Sequence, residues 1–259
     1  MRVSAILSVA MVGFGALTGC SSSGTAATKS ASSGALSGSI TVFAASSLKE
    51  AFTTLGDQFM KAHPGTSVAF NFDASSTLAE SITQGQQSDV FASASPKNMD
   101  TVVQAGEADT PTNFVKNRME IATPPGNPKG VKTVADLAKS GVRVALCDPA
   151  VPCGSTALEV FANANVTVKP TASEPDVKST LGIVETKEVD AGMVYVTDVR
   201  AAGSSVTGVT IPDNLNASTT YPIAVLKHSA DQSLAKAWVD YVLSASGQKV
   251  LTADGFLKP

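Results

Sequence analysis

Four places in the chain put small and hydroxyl residues where an apolar strand pattern gives way to a helical one. They are Ala45-Ser46-Ser47, Ala74-Ser75-Ser76-Thr77, Val151-Pro152-Cys153-Gly154 and Glu174-Pro175-Asp176-Val177. The first amides of a helix have no partner inside it, and that end carries partial positive charge. Such ends bind anions without help from Lys or Arg. Open α/β sheets also take their ligands beyond the carboxyl ends of the strands. Each junction has a plainer use: Ser47 with Glu50, and Thr77 with Glu80, have the Ser/Thr-x-x-Glu spacing of a capping box, which serves any helix. Together the junctions favour a binding cleft over capping alone, without naming its ligand.

Other reactive side chains are few. Cys147 and Cys153 bracket Asp148-Pro149-Ala150-Val151-Pro152, and two prolines in so short a segment favour a turn that brings its ends together. In an oxidising compartment a disulfide is the expectation; two free buried thiols are the alternative. A thiol at a helix N-terminus has a lowered pKa, so an exported thiol hydrolase built on Cys153 is a rival function. That chemistry needs a histidine base, and the two histidines, His63 and His228, lie outside all four junctions. No Cys/His spacing suits zinc. No catalytic residue and no direct cation site is therefore expected, and the chain is not read as an enzyme.

The junctions need a scaffold to aim them, and the coarse pattern supplies alternating strands and helices. Ile40-Thr41-Val42-Phe43-Ala44 is a buried strand; Leu48, Ala51, Phe52, Leu55 and Phe59 then recur at helical spacing, and His63-Pro64-Gly65 ends that helix. Strands are expected at 68–72, 89–94, 119–122, 142–147, 166–168, 191–194 and 221–226. Helices are expected at 77–84, from Ser155, from Val177, and around Leu234, Ala237, Trp238, Tyr241 and Val242. Such alternation gives α/β layers with mostly parallel sheets, and two blocks of it suggest two lobes. Pro124-Pro125-Gly126-Asn127-Pro128 marks one lobe boundary, and the strand at 221–226 the return. The expected division is 39–120 with 225–259 for the first lobe and 121–224 for the second.

The N-terminus carries Arg2, an apolar run at 3–17 and Leu17-Thr18-Gly19-Cys20. This has the regions of a secretory signal over 1–19, is short for a membrane span, and resembles a bacterial lipobox in which Cys20 is acylated. Residues 20–38, rich in Ser, Gly, Ala and Thr, are a flexible tether. The expected location is the outer face of the cell membrane, held by the lipid alone. A net charge of −3 without a basic block argues against nucleic acid.

Taken in order, the motifs resemble those of the periplasmic molybdate-binding proteins of ABC transporters. Ile40-Thr41-Val42-Phe43-Ala44-Ala45-Ser46-Ser47-Leu48 is similar to the opening strand and first ligand loop of that family. Phe72-Asp73-Ala74-Ser75-Ser76-Thr77-Leu78-Ala79 resembles the second. Asp148-Pro149-Ala150-Val151-Pro152-Cys153-Gly154 resembles its Asp-Pro…Val-Pro-Ala-Gly loop, one residue shorter and with Cys for Ala. Glu174-Pro175-Asp176-Val177 and Gly192-Met193-Val194-Tyr195-Val196-Thr197-Asp198 resemble the fourth and fifth. The resemblance implies a two-lobed periplasmic-binding-protein fold with the ligand cleft between lobes. It implies that Ser47 and Ser75 offer hydroxyls, Cys153 and Val177 backbone N–H groups and Tyr195 its phenol to an oxyanion, while Asp148, Asp176 and Asp198 are structural.

The implied set is nearly all donors. Molybdate, tungstate and sulfate are fully ionised near neutral pH and only accept, whereas phosphate keeps a proton that needs an acceptor. A buried mismatch of that kind costs roughly 1–3 kcal/mol. A sulfate receptor of the same fold is the alternative; molybdate and tungstate are too alike in size to separate. The remaining expectations are a monomer, no cofactor besides the transported ligand, and the permease transmembrane subunits as partner.

Overall fold

The computed structural model of the protein describes residues 36–259. The signal segment, Cys20 and the tether as far as residue 35 lie outside the described residues. β1 (Gly38–Ala45) leads through a 3-10 turn (Ser46–Leu48) into α1 (Lys49–Ala62), β2 (Thr66–Asp73), α2 (Ser75–Thr83), β3 (Val90–Ala92), α3 (Pro96–Gln104) and the long β4 (Thr112–Thr123). β5 (Val144–Cys147), α4 (Pro152–Asn163), β6 (Ala172–Glu174), α5 (Val177–Glu185), β7 (Ala191–Tyr195), α6 (Val196–Ala202) and β8 (Thr207–Thr210) follow. β9 (Ser218–Val225), α7 (Gln232–Leu243) and α8 (Ala245–Ala253) come last.

The strands run in the order β2-β1-β3-β9-β4-β7-β5-β6, with β8 on β4. Pairings β1–β2, β1–β3, β5–β6 and β5–β7 are parallel, as alternation with helices requires. Every pairing through β4 or β9 is antiparallel. The parallel character expected of the sheets therefore belongs to the two flanks, and the strands that join them run against it.

Each flank buries its own core. In β1, Val42 and Ala44 pack with Phe52, Phe59 and Trp238, while Phe43 turns to Leu78, Phe91 and Met99 on the opposite face. Both faces are covered, which is why the strand reads as an unbroken apolar run. Phe52 and Phe59 meet Trp238 edge-on at centroid distances of 5.7 and 5.6 Å. A separate core gathers Met119, Ile121, Val144, Val160, Val184 and Met193. Phe114 and Val115 belong to the first core and Met119 and Ile121 to the second, so β4 passes from one to the other along its length. The return falls between Ala217 and Tyr221, at the start of β9.

Several local expectations are corrected. Residues 166–168 form no strand: Asn165 adopts φ 51° to close α4, and the Val166 amide bonds the Phe161 carbonyl. The strand lies further on, as β6, with Ala172 beside Ala145. Neither capping box forms. Ser47 sits inside the 3-10 turn and α2 begins at Ser75, ahead of Thr77, with no side-chain cap at either start. Glu50 reaches Lys178 instead, and Glu80 reaches Gln84. α3, α6 and β8 are elements that apolar spacing does not announce. Among the described residues no helix is long and apolar enough to cross a membrane.

Candidate functional site

A small cavity, with about 10 Å³ of enclosed space, lies where the turn before α1 and the starts of α2, α4 and α5 meet the end of β7. Ser47, Ser75, Cys153, Val177 and Tyr195 all line it. The folding of each junction decides what it presents. Ser75 opens α2, and its Oγ accepts the Ala94 amide at 2.9 Å, which leaves the hydroxyl proton unused. Pro152 opens α4; it has no N–H, and its fixed φ suits a first helical position. Cys153 thus carries the first amide of that helix. At α5, Asp176 caps the amides of Lys178 and Ser179 through Oδ1, at 2.7 and 3.2 Å. The Val177 amide, at the first helical position, has neither that cap nor a partner inside the helix.

Tyr195 ends β7 and is 1% exposed, and its hydroxyl has no hydrogen-bond partner among the described residues. Burial above all, with the neighbouring Tyr221, pushes its pKa well above the ordinary phenol value. The group stays protonated at neutral pH and is a ready donor. No Lys or Arg is among the lining residues; Asp73 and Asp176 are. Both carboxylates serve local turns: Asp73 Oδ1 accepts the Ala74 amide at 2.6 Å, and Asp176 holds its cap. Asp148 Oδ1 likewise accepts the Ala150 amide at 2.8 Å.

Cys147, at the end of β5, and Cys153 are joined by a disulfide (S–S 2.05 Å, Cα–Cα 5.8 Å). The bonded loop folds tightly over the start of α4, so that a Cβ on Gly154 would collide with the Asp148 carbonyl. Glycine is required there by close backbone approach, not by its φ.

Residues 40–257 match the family model for bacterial extracellular solute-binding proteins. The chain belongs to that family. Among named solute-binding relatives, the molybdate-binding protein ModA of Mycobacterium tuberculosis (strain H37Rv) is 43% identical over 222 residues, 85% of this chain and 85% of the relative. Of solved structures, the periplasmic molybdate-binding protein of Azotobacter vinelandii superposes with a TM-score of 0.76 at 18% identity, over 85% of this chain and 99% of that one. The sulfate-binding protein SubI of Mycobacterium tuberculosis H37Rv gives 0.71 at 18%, over 84% and 86%. These two likenesses speak for the two-lobed fold alone.

Around the cavity this solute-binding protein holds polar groups that sequence patterns did not disclose. Lys178 places Nζ 2.8 Å from Glu50 Oε2 and 3.0 Å from Asp198 Oδ1. Burial opposes its charge, but the two carboxylates outweigh burial and hold its pKa above the ordinary value. Asp198 is fully buried and also accepts the Tyr195 amide at 3.1 Å. Ser47 Oγ lies 2.8 Å from the Tyr221 hydroxyl, and Asn117 Nδ2 donates to Thr197 Oγ1 at 2.8 Å. No cluster of His, Cys, Asp and Glu able to hold a metal ion occurs among the described residues.

Proposed function

We propose that this solute-binding protein captures a tetrahedral, fully ionised oxyanion, molybdate or tungstate, and delivers it to the transmembrane subunits of an ABC importer. The observation that carries the reading is the convergence of unused donors on one cationless cavity. Ser75 and Tyr195 with their uncommitted hydroxyl protons, Ser47 with its hydroxyl, and Cys153 and Val177 with the leading amides of their helices all line the same small space. A fully deprotonated oxyanion offers only acceptors and satisfies every one of them. The enclosed space, about 10 Å³, is far below the roughly 300–1,000 Å³ of pockets for larger organic ligands, as a small inorganic ion requires. The name of the 43% identical mycobacterial relative supports molybdate over sulfate.

In this reading residues 39–120 with 225–259 form one lobe and 121–224 the other, and they close on the ion as a monomer. Residues 1–19 direct export, acylated Cys20 anchors the protein to the outer face of the membrane, and 20–38 tether it. Cys20→Ser should abolish incorporation of labelled fatty acid. The ligand is tested by thermal denaturation with molybdate, tungstate, sulfate and phosphate, since a ligand that binds only the native state stabilises it by RT ln(1 + [L]/Kd). Molybdate and tungstate should stabilise at micromolar levels and phosphate should not. Equal stabilisation by phosphate would overturn the all-donor site. Stabilisation by sulfate alone would keep the site and change the ligand.

A further inference from the structure

Beneath the cavity runs a line of buried polar side chains that fixes where protons point. Asn117 Oδ1 accepts the Arg118 amide at 3.0 Å, which sets the orientation of the side-chain amide. Nδ2 therefore faces Thr197 Oγ1 at 2.8 Å and the Tyr221 hydroxyl at 3.4 Å. An amide nitrogen only donates, so the Tyr221 oxygen accepts, and its single proton goes to the other neighbour, Ser47 Oγ at 2.8 Å. The reverse arrangement would leave the Tyr221 proton with no acceptor within hydrogen-bond distance among the described residues, which is the costlier choice. Asn117 and Tyr221 are wholly buried and Ser47 is 3% exposed. Burial pushes the Tyr221 pKa far above the ordinary phenol value, so the proton is always present.

We infer that Tyr221, oriented by Asn117, fixes the Ser47 hydroxyl as a donor toward the cavity and thereby selects fully ionised oxyanions over protonated ones. Neither residue touches the ion; both act as positioning residues through Ser47, and the inference rests on the oxyanion reading of the site. With Tyr221 in place, the lone pair that Ser47 directs to it is occupied, and its own proton meets the ligand. Hydrogen phosphate brings a proton that needs an acceptor, and Ser47, with one lone pair taken by Tyr221 and its own proton turned to the ligand, is a poor one. Without the Tyr221 hydroxyl, Ser47 is free to turn and accept.

The test is calorimetric titration of wild type, Tyr221→Phe, Ser47→Ala and the double variant with molybdate, and with phosphate by competition. The quantity read is the ratio of the two affinities. Tyr221→Phe keeps the ring that packs edge-on against Phe114, Tyr195 and Phe256, and should narrow the ratio about tenfold. In the Ser47→Ala background the same change should leave the ratio unmoved, because the hydroxyl it orients is gone. An unchanged ratio in Tyr221→Phe, or equal narrowing with and without Ser47, overturns the inference. Failure of wild type to bind molybdate, tungstate or sulfate overturns the oxyanion reading itself. Should Tyr221→Phe not fold, Asn117→Ala carries the same test: it frees Tyr221 to turn, and should narrow the ratio only while Ser47 is present.

Discussion

Tyr195→Phe removes one oxygen from the cavity wall and leaves the ring, which packs 6.3 Å from Tyr221 in an edge-on pair. In the ligand-free protein that oxygen is buried and unpartnered among the described residues, an arrangement that costs about 1–3 kcal/mol. Its removal should leave the empty protein as stable as wild type or about 1 kcal/mol more stable. Binding should move the other way. A hydrogen bond to a charged acceptor contributes about 1.5–3 kcal/mol, so molybdate affinity should fall about 10- to 100-fold. At a fixed large excess of molybdate, a Kd weakened about 30-fold removes about 2 kcal/mol of ligand stabilisation. In a domain of this size that lowers the melting temperature of the complex by about 4–8 °C. Calorimetric melting with and without molybdate reads both effects, and their opposite signs are the signature. A variant that melts lower when empty yet binds like wild type would show that the hydroxyl serves the core, and the donor set proposed for the cavity would be wrong.

The Cys147→Ala, Cys153→Ala double variant keeps both backbone amides. Closing a loop with a sequence separation of 6 contributes about 2 kcal/mol in the chain-entropy account. The double variant should fold and still bind, at modestly lower stability; two alkylatable thiols in unreduced exported protein, read by intact mass, would rule the bond out. Lys178→Met leaves the buried Asp198 carboxylate without its cation, a loss of about 3–5 kcal/mol. Its ligand-free melting temperature should drop by about 6 °C or more, and a drop under about 2 °C would mean that Lys178 does not hold that charge in place.

Four of the residues that line the cavity, Ser47, Ser75, Cys153 and Val177, were legible in the sequence because each belongs to a local event, whereas Tyr195 was offered only by the family resemblance. A strand ends, a small or hydroxyl residue follows and a helix starts, and these steps fall within a few residues of one another. The layers were legible for the same reason, through the period of apolar residues. What lies under the cavity was not. Ser47 and Tyr221 are separated by 174 residues, and Asn117 and Thr197 by 80, and no local pattern joins them. The same long-range packing overrode the first capping box: Glu50 pairs with the half-buried Lys178, 128 positions away, instead of its own helix end. β6 was misplaced because Val166 and Val168 look like strand, while Asn165 had already spent those residues on leaving a helix.

Cys153 and Val177 are proposed to act through their peptide N–H groups, and this makes part of the receptor invisible to the usual genetics. A substitution that alters only the side chain leaves such a donor where it was, so alanine scanning would pass over both positions and credit the site to its hydroxyls. The side chains that matter there are their neighbours': Pro152, which sets the first turn of α4, and Gly154, whose lack of a Cβ makes room for the Asp148 carbonyl. In that proposal the demand on side-chain identity moves from these two donors to the residues that shape the chain around them, and part of the grip on the ion comes from a group of the polymer that every amino acid except proline supplies.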